Sequence, residues 1–194
     1  MPADHKEIAF EAAIEGSLLT HGGFIKGDPE AFDRELALDR GELFEFLRGS
    51  QPKTWAKLEG LLGPRTEATV LDNLLGALAD RGLLDVLRHG FKSYGRLLHL
   101  AYFAPAHGMN PETQALYEAN RLTVTRQLKY DPASENSIDL ALSLNGLPVV
   151  TAELKNPMSG QTWRDAVWQY KTDRDPDATI FRFKLRALVH FAVD

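Results

Sequence analysis

The chain has no cysteine among its 194 residues. No disulfide can staple it, which fits a reducing cytoplasm. It also lacks any apolar run long enough to span a bilayer, and its opening stretch, Met1-Pro-Ala-Asp-His-Lys-Glu7, has no apolar signal core. The expectation is a soluble, cytoplasmic protein with no membrane partner. Its histidines, His5, His21, His89, His99, His107 and His190, show no metal-ligand spacing such as His-x-x-x-His, and His190, within an apolar run, reads as a core residue. No Gly-x-x-x-x-Gly-Lys-Ser/Thr loop is present, so the chain is not itself an ATP-driven motor.

What is there suffices for one domain of ordinary size, since 44% of the residues are hydrophobic. The net charge of -5 is unevenly spread. Residues 1–120 hold 12 Lys/Arg against 18 Asp/Glu, whereas residues 121–194 hold 10 against 9. Arg121, Arg126, Lys129, Arg164, Lys171, Arg174, Arg182, Lys184 and Arg186 could supply phosphate contacts, although a solvated charged surface explains most of them equally well.

The chain is organised around Ser137 to Asn156, two alternating runs joined by Asn145-Gly146. Ile138, Leu140, Leu142 and Leu144 fall on one face of a first strand, and Val150, Ala152 and Leu154 on one face of a second. The other face carries Asp139, Glu153 and Lys155. Both apolar sets meet only if paired residue numbers sum to an even value, which sets Asp139 opposite Glu153 and Leu142 opposite Val150. That register predicts the odd-length loop Asn145-Gly146-Leu147 with a glycine-dependent bulge, and disfavours a two-residue turn. Two facing carboxylates repel unless something positive lies between them, and hard divalent cations such as magnesium bind such oxygens. An acid followed by Glu-x-Lys on the neighbouring strand suits metal-assisted phosphodiester cleavage, with the metal activating water and the lysine orienting or stabilising. By spacing alone an ordinary hairpin of solvated cross-strand charges is the commoner case.

Around the hairpin, residues 4–20 read as an amphipathic helix, with Ile8, Ala12, Glu15 and Leu19 on one flank and Phe10, Ala13, Ile14 and Leu18 near another. Arg40 to Arg88 is helical with breaks at Gln51-Pro52 and Gly63-Pro64, and Val86 to Phe103 carries too many glycines for a long helix and predicts a strand at its end. Asn110-Pro111 opens a short helix through Tyr117, and Arg121 to Tyr130 alternates as a strand. Thr162 is placed to cap a helix from Trp163 to Thr172 after the loop Asn156 to Thr162. Leu188 to Val193 reads as a buried strand, parallel to its neighbour. The fold class is α/β: a mixed central sheet flanked by helices, with a mainly helical portion at about 25–90 and a core at about 95–194.

Several stretches together resemble the N-terminal nuclease region of type I restriction enzyme R (motor) subunits: Asn136-Ser-Ile-Asp139, Asn145-Gly-Leu-Pro148, Glu153-Leu-Lys-Asn-Pro157, Gly160-Gln-Thr162, and Gln169-Tyr170 with Asp173-Arg174. The likeness extends upstream through Leu36-Ala-Leu-Asp39, Gln51-Pro52, Leu87-Arg88 to Phe91-Lys92, Tyr102-Phe103 and Asn120 to Gln127, so it covers most of the chain. It implies a restriction-endonuclease-like core of the PD-(D/E)xK type, and a type I site-specific deoxyribonuclease that cleaves double-stranded DNA with magnesium. Asp139, Glu153 and the Leu154 carbonyl would then hold the metal, with Lys155 assisting. Glu11 would lean toward the metal from the first helix, and Gln161, Gln169 and Tyr170 would support the lysine or a phosphate. Related nucleases carry Gln-x-x-x-Tyr in that helix, whereas here Ala166 stands four residues before Tyr170. The resemblance further implies modification and specificity subunits as partners, and an ATP-using motor that follows Asp194 in a longer subunit. A non-catalytic DNA-binding or assembly module, and a stand-alone defence nuclease with the same core, are the alternatives.

Overall fold

The structure is a computed structural model and describes residues 5–156 and 160–194. In chain order the elements are α1 (His5–His21), β1 (Ile25–Lys26), β2 (Phe32–Asp33), β3 (Leu38–Asp39), α2 (Arg40–Ser50), α3 (Pro52–Leu62), α4 (Thr66–Arg81), α5 (Leu83–His89), β4 (Phe91–Ser93), β5 (Arg96–Leu98), α6 (Pro111–Glu118), β6 (Leu122–Lys129), β7 (Ser137–Leu144), β8 (Leu147–Leu154), α7 (Trp163–Thr172) and β9 (Val189–Val193). The principal sheet runs β1-β6-β7-β8-β9, with β1 parallel to β6, β6–β7 and β7–β8 antiparallel, and β8 parallel to β9. It is the mixed, helix-flanked α/β sheet expected from sequence.

Local chemistry sets the helix boundaries. The Asp39 carboxylate accepts from Glu42 N–H at the start of α2, and Asn110 does the same for Glu112 in α6. Pro52 opens α3, where a missing N–H costs nothing. Thr162 and Asp165 form a reciprocal capping box that starts α7 at Trp163, where the sequence placed it. Of the two flanks proposed for α1, Phe10, Ile14 and Leu18 pack on Val124, Leu140 and Leu154 of the sheet, while Ile8 and Leu19 remain exposed.

The helices α2 to α5 and the β4–β5 hairpin share one apolar cluster with Leu147, so the helical layer docks on the turn end of the β7–β8 hairpin. Asn145 is fully buried there: its amide donates to the Leu100 and Asn120 oxygens, and its carbonyl oxygen accepts from Arg121 N–H. Gly146 accepts from Asp39 N–H, and a Cβ on it would stand 2.4 Å from the Asp39 carbonyl oxygen.

Several expectations need correction. The hairpin closes in a two-residue turn after all, because Leu144 pairs with Leu147, and Asn145 and Gly146 both have positive φ. A register shift between Leu142 and Ser143 absorbs one extra residue in β8 and restores the even-sum register at Leu142–Val150 and Leu140–Ala152. The extra residue lies inside the strand, not in the loop. The strand expected near Phe103 is instead the earlier β4–β5 hairpin, turned at Tyr94-Gly95. The last strand is parallel as expected but lies at the sheet edge, so Val189 and Phe191 are exposed where burial was expected. The start of the first helix at Asp4 and residues Pro157, Met158 and Ser159 of the Asn156 to Thr162 loop lie outside the described residues.

Candidate active site at the open end of the hairpin

The end of the hairpin away from the buried turn carries Asp139, Glu153 and Lys155. Both ladders of β7 are interrupted at Asp139. On one side Arg126–Leu140 and Leu128–Ile138 pair while Gln127 and Asp139 between them do not, and on the other the last pair before Asp139 is Leu140–Ala152. In place of a ladder bond, Asp139 Oδ2 accepts from the Leu154 N–H at 2.7 Å, and Oδ1 accepts from the Gln127 amide at 3.2 Å.

Glu153 is completely buried, which is unusual for a carboxylate without compensation. Arg174, just beyond α7, supplies that compensation: its guanidinium donates to Glu153 Oε1 at 2.5 Å and to the Ser137 carbonyl at 2.7 Å, and lies over the Tyr130 ring. Glu153 Oε2 is buried with no hydrogen-bond partner among the described residues. Burial first, and the charge of Asp139 second, push the Glu153 carboxyl up to about 8, against the opposing pull of Arg174 and Lys155. The side chain is thus short of positive charge on one oxygen while already paired on the other.

Glu11 reaches the same region from α1. It is buried, ion-paired with Arg126 at 3.2 Å, and accepts from Gln127 Nε2 at 2.8 Å. Burial, then the Asp139 charge, raise its pKa, while Gln127 and Arg126 oppose the shift. Glu11 is therefore no solvated surface acid of the helix.

Magnesium takes oxygen ligands and retains several waters. The residues present fit it: Asp139, whose charge raises the cost of ionising Glu153, and Glu153 itself, with a buried oxygen that has no partner among the described residues. Among the described residues no three His, Cys, Asp or Glu side chains form a metal-binding group, so the main chain and water would complete any such shell.

The other sequence candidates divide. Tyr170 donates or accepts with Thr151 Oγ1 at 2.9 Å, and burial raises its pKa; His190 shares the same hydroxyl at 2.7 Å. Gln161 is exposed and Gln169 half-buried on α7. Arg164 and Lys171 are exposed on α7, available to a phosphate. Four cations proposed for phosphate are engaged inside the protein instead, Arg186 by donating to the Leu36 and Ala37 carbonyls and the other three through carboxylates. Arg174 is buried on Glu153, Arg121 is held by Glu42 and Glu45, and Arg126 by Glu11 and Glu15. Their carboxylate partners are distant in sequence, so spacing could not reveal them. Sequence reasoning also missed Gln127, whose only signal is a polar residue within an alternating strand.

A family model described as the type I restriction enzyme R protein N terminus matches residues 89–194, more than half of the chain. The matched range contains Asp139, Glu153, Lys155 and α7 and leaves out α1 with Glu11. No curated protein and no solved structure matches the chain.

Proposed function

This chain belongs to the family of type I restriction enzyme R protein N termini, and from that premise we propose that the open end of its β7–β8 hairpin is a magnesium-dependent DNA-cleaving site. The observation that carries the reading is Glu153, wholly buried beside the charge of Asp139 and with Oε2 lacking a hydrogen-bond partner among the described residues. Asp139, Glu153 and the Leu154 carbonyl would hold the ion. When bound, magnesium supplies positive charge against the scissile phosphate and lowers the pKa of a water molecule. Lys155 follows Glu153 by two residues, and its ammonium makes no ion pair among the described residues, which leaves it to orient the attacking water and to stabilise charge building on the phosphate. Arg174, donating to Glu153 Oε1, keeps that side chain in place. Arg164 and Lys171, exposed on α7, would hold the DNA backbone, and Gln161 and Gln169 would support the lysine or a phosphate.

In a complete restriction complex, ATP-driven motion and site recognition would come from other parts, the latter from modification and specificity subunits. The test uses that complex. Asp139→Ala, Glu153→Ala and Lys155→Ala are each expected to abolish strand cleavage while ATP hydrolysis persists, and Lys155→Ala retains metal affinity. Cleavage at the normal rate by Asp139→Ala would leave a non-catalytic assembly module as the better description.

A further inference from the structure

Gln127 has φ of 48° in the middle of β6. A left-handed residue that is not glycine is uncommon, and within a strand it needs a reason. Burial is not the reason, because Gln127 is exposed. What the conformation obtains is hydrogen bonding: Nε2 donates to Glu11 Oε1 at 2.8 Å and to Asp139 Oδ1 at 3.2 Å, and Oε1 accepts from Ser137 Oγ at 2.8 Å. Ionised carboxylates only accept, so the nitrogen must face both of them and the oxygen must face the hydroxyl. The amide therefore has one orientation in which every partner is satisfied. The local turn also removes Gln127 and Asp139 from the β6–β7 ladder although the pairs on both sides are made.

We propose that Gln127 is a positioning residue for the metal site: its strained backbone aims one amide at Glu11 and Asp139, joining the α1 carboxylate to the β7 carboxylate and fixing the direction of the Asp139 oxygens. The inference rests on the magnesium-dependent reading of that site. Gln127 reaches no metal or phosphate itself; it acts through the carboxylates, as partners of metal ligands do in general. Its amide is also the group that lets two acids lie near one another without a cation between them, which prepares the site before the ion arrives.

Two substitutions separate aim from strain. Gln127→Met keeps the length and the left-handed backbone but removes the amide; Gln127→Gly removes the amide and relieves the backbone. Manganese binding to the 194-residue chain, followed by electron paramagnetic resonance and calorimetry, is the readout, with the urea midpoint of the metal-free chain measured in parallel. Both variants are expected to bind manganese about tenfold or more weakly, while their metal-free stabilities diverge, the glycine variant being the more stable. Three results overturn the role. Wild-type affinity in both variants, with binding lost in Asp139→Asn, shows a real metal site that Gln127 does not position. Recovery of affinity in Gln127→Gly alone shows that only strain mattered. Manganese binding that is absent from the wild type, or unchanged in Asp139→Asn, removes the metal site and the role of Gln127 with it.

Discussion

At the scale of the residue, Glu153 is the group whose environment departs furthest from water. Its carboxyl keeps its proton up to about 8 in the folded chain, against 4.5 for the unperturbed group. Between those values the folded state binds more protons than the unfolded state, so the stability contributed by Glu153 falls as pH rises across the window, at up to about 1.4 kcal/mol per pH unit. Glu11, also raised by burial, acts in the same direction, while His190, lowered by burial, acts in the other. Urea unfolding of the metal-free chain at intervals from pH 5 to pH 8.5 is therefore expected to show a loss with rising pH that Glu153→Gln flattens, the difference isolating Glu153 from His190. Parallel slopes in the two proteins would contradict a buried, proton-holding Glu153.

At the scale of the element, the β7–β8 hairpin joins two regions of opposite character. Its turn is buried under α2 and its open end is polar. A turn buried in this way leaves every polar atom in need of a protein partner, and Asn145 meets that need with three side-chain hydrogen bonds. Asn145→Ala strands those partners and is expected to cost about 2 to 4 kcal/mol, judged from 1–3 kcal/mol for each buried unsatisfied group. Gly146→Ala combines a φ of 82° with a Cβ thrust against the Asp39 carbonyl, and about 2 to 4 kcal/mol is expected from overpacking and left-handed strain together. Thermal unfolding checks both. Thr162→Ala, which removes only the α7 cap, sets the scale for an ordinary local loss of about 1 kcal/mol.

At the scale of the whole molecule, a ligand that binds only the folded chain stabilises all of it. Magnesium or manganese at a hundredfold excess over the dissociation constant is expected to add about 2.7 kcal/mol, read as a higher melting temperature at fixed ionic strength. The gain disappears in Asp139→Asn, which keeps the shape and removes the charge, and it shrinks as pH falls and the carboxylates take up protons. A hairpin of solvated charges predicts equal small responses in both proteins, from screening alone. Equal responses in calorimetry would sink the metal site while leaving the fold untouched.

Much of this was determined by sequence alone, because it depends on periodicity and local chemistry. The period of two in β7 and β8 set the register found at Leu142–Val150 and Leu140–Ala152, and Thr162 marked the first turn of α7. The motif residues along 136–174 carried the family. Tertiary structure decided what depends on neighbours remote in the chain. Arg174 looked like a surface cation and became the buried partner of Glu153, 21 positions away; Arg121 and Arg126 were taken up by acids 79 and 115 positions away. The final strand, apolar in sequence, is an edge in space because, among the described residues, no further strand pairs beyond it in the order β1-β6-β7-β8-β9. The bulge within β8 and the left-handed Gln127 are settled by how the strands meet, and a side-chain pattern does not encode that meeting. Periodicity states which face a residue takes; only packing states what waits on that face.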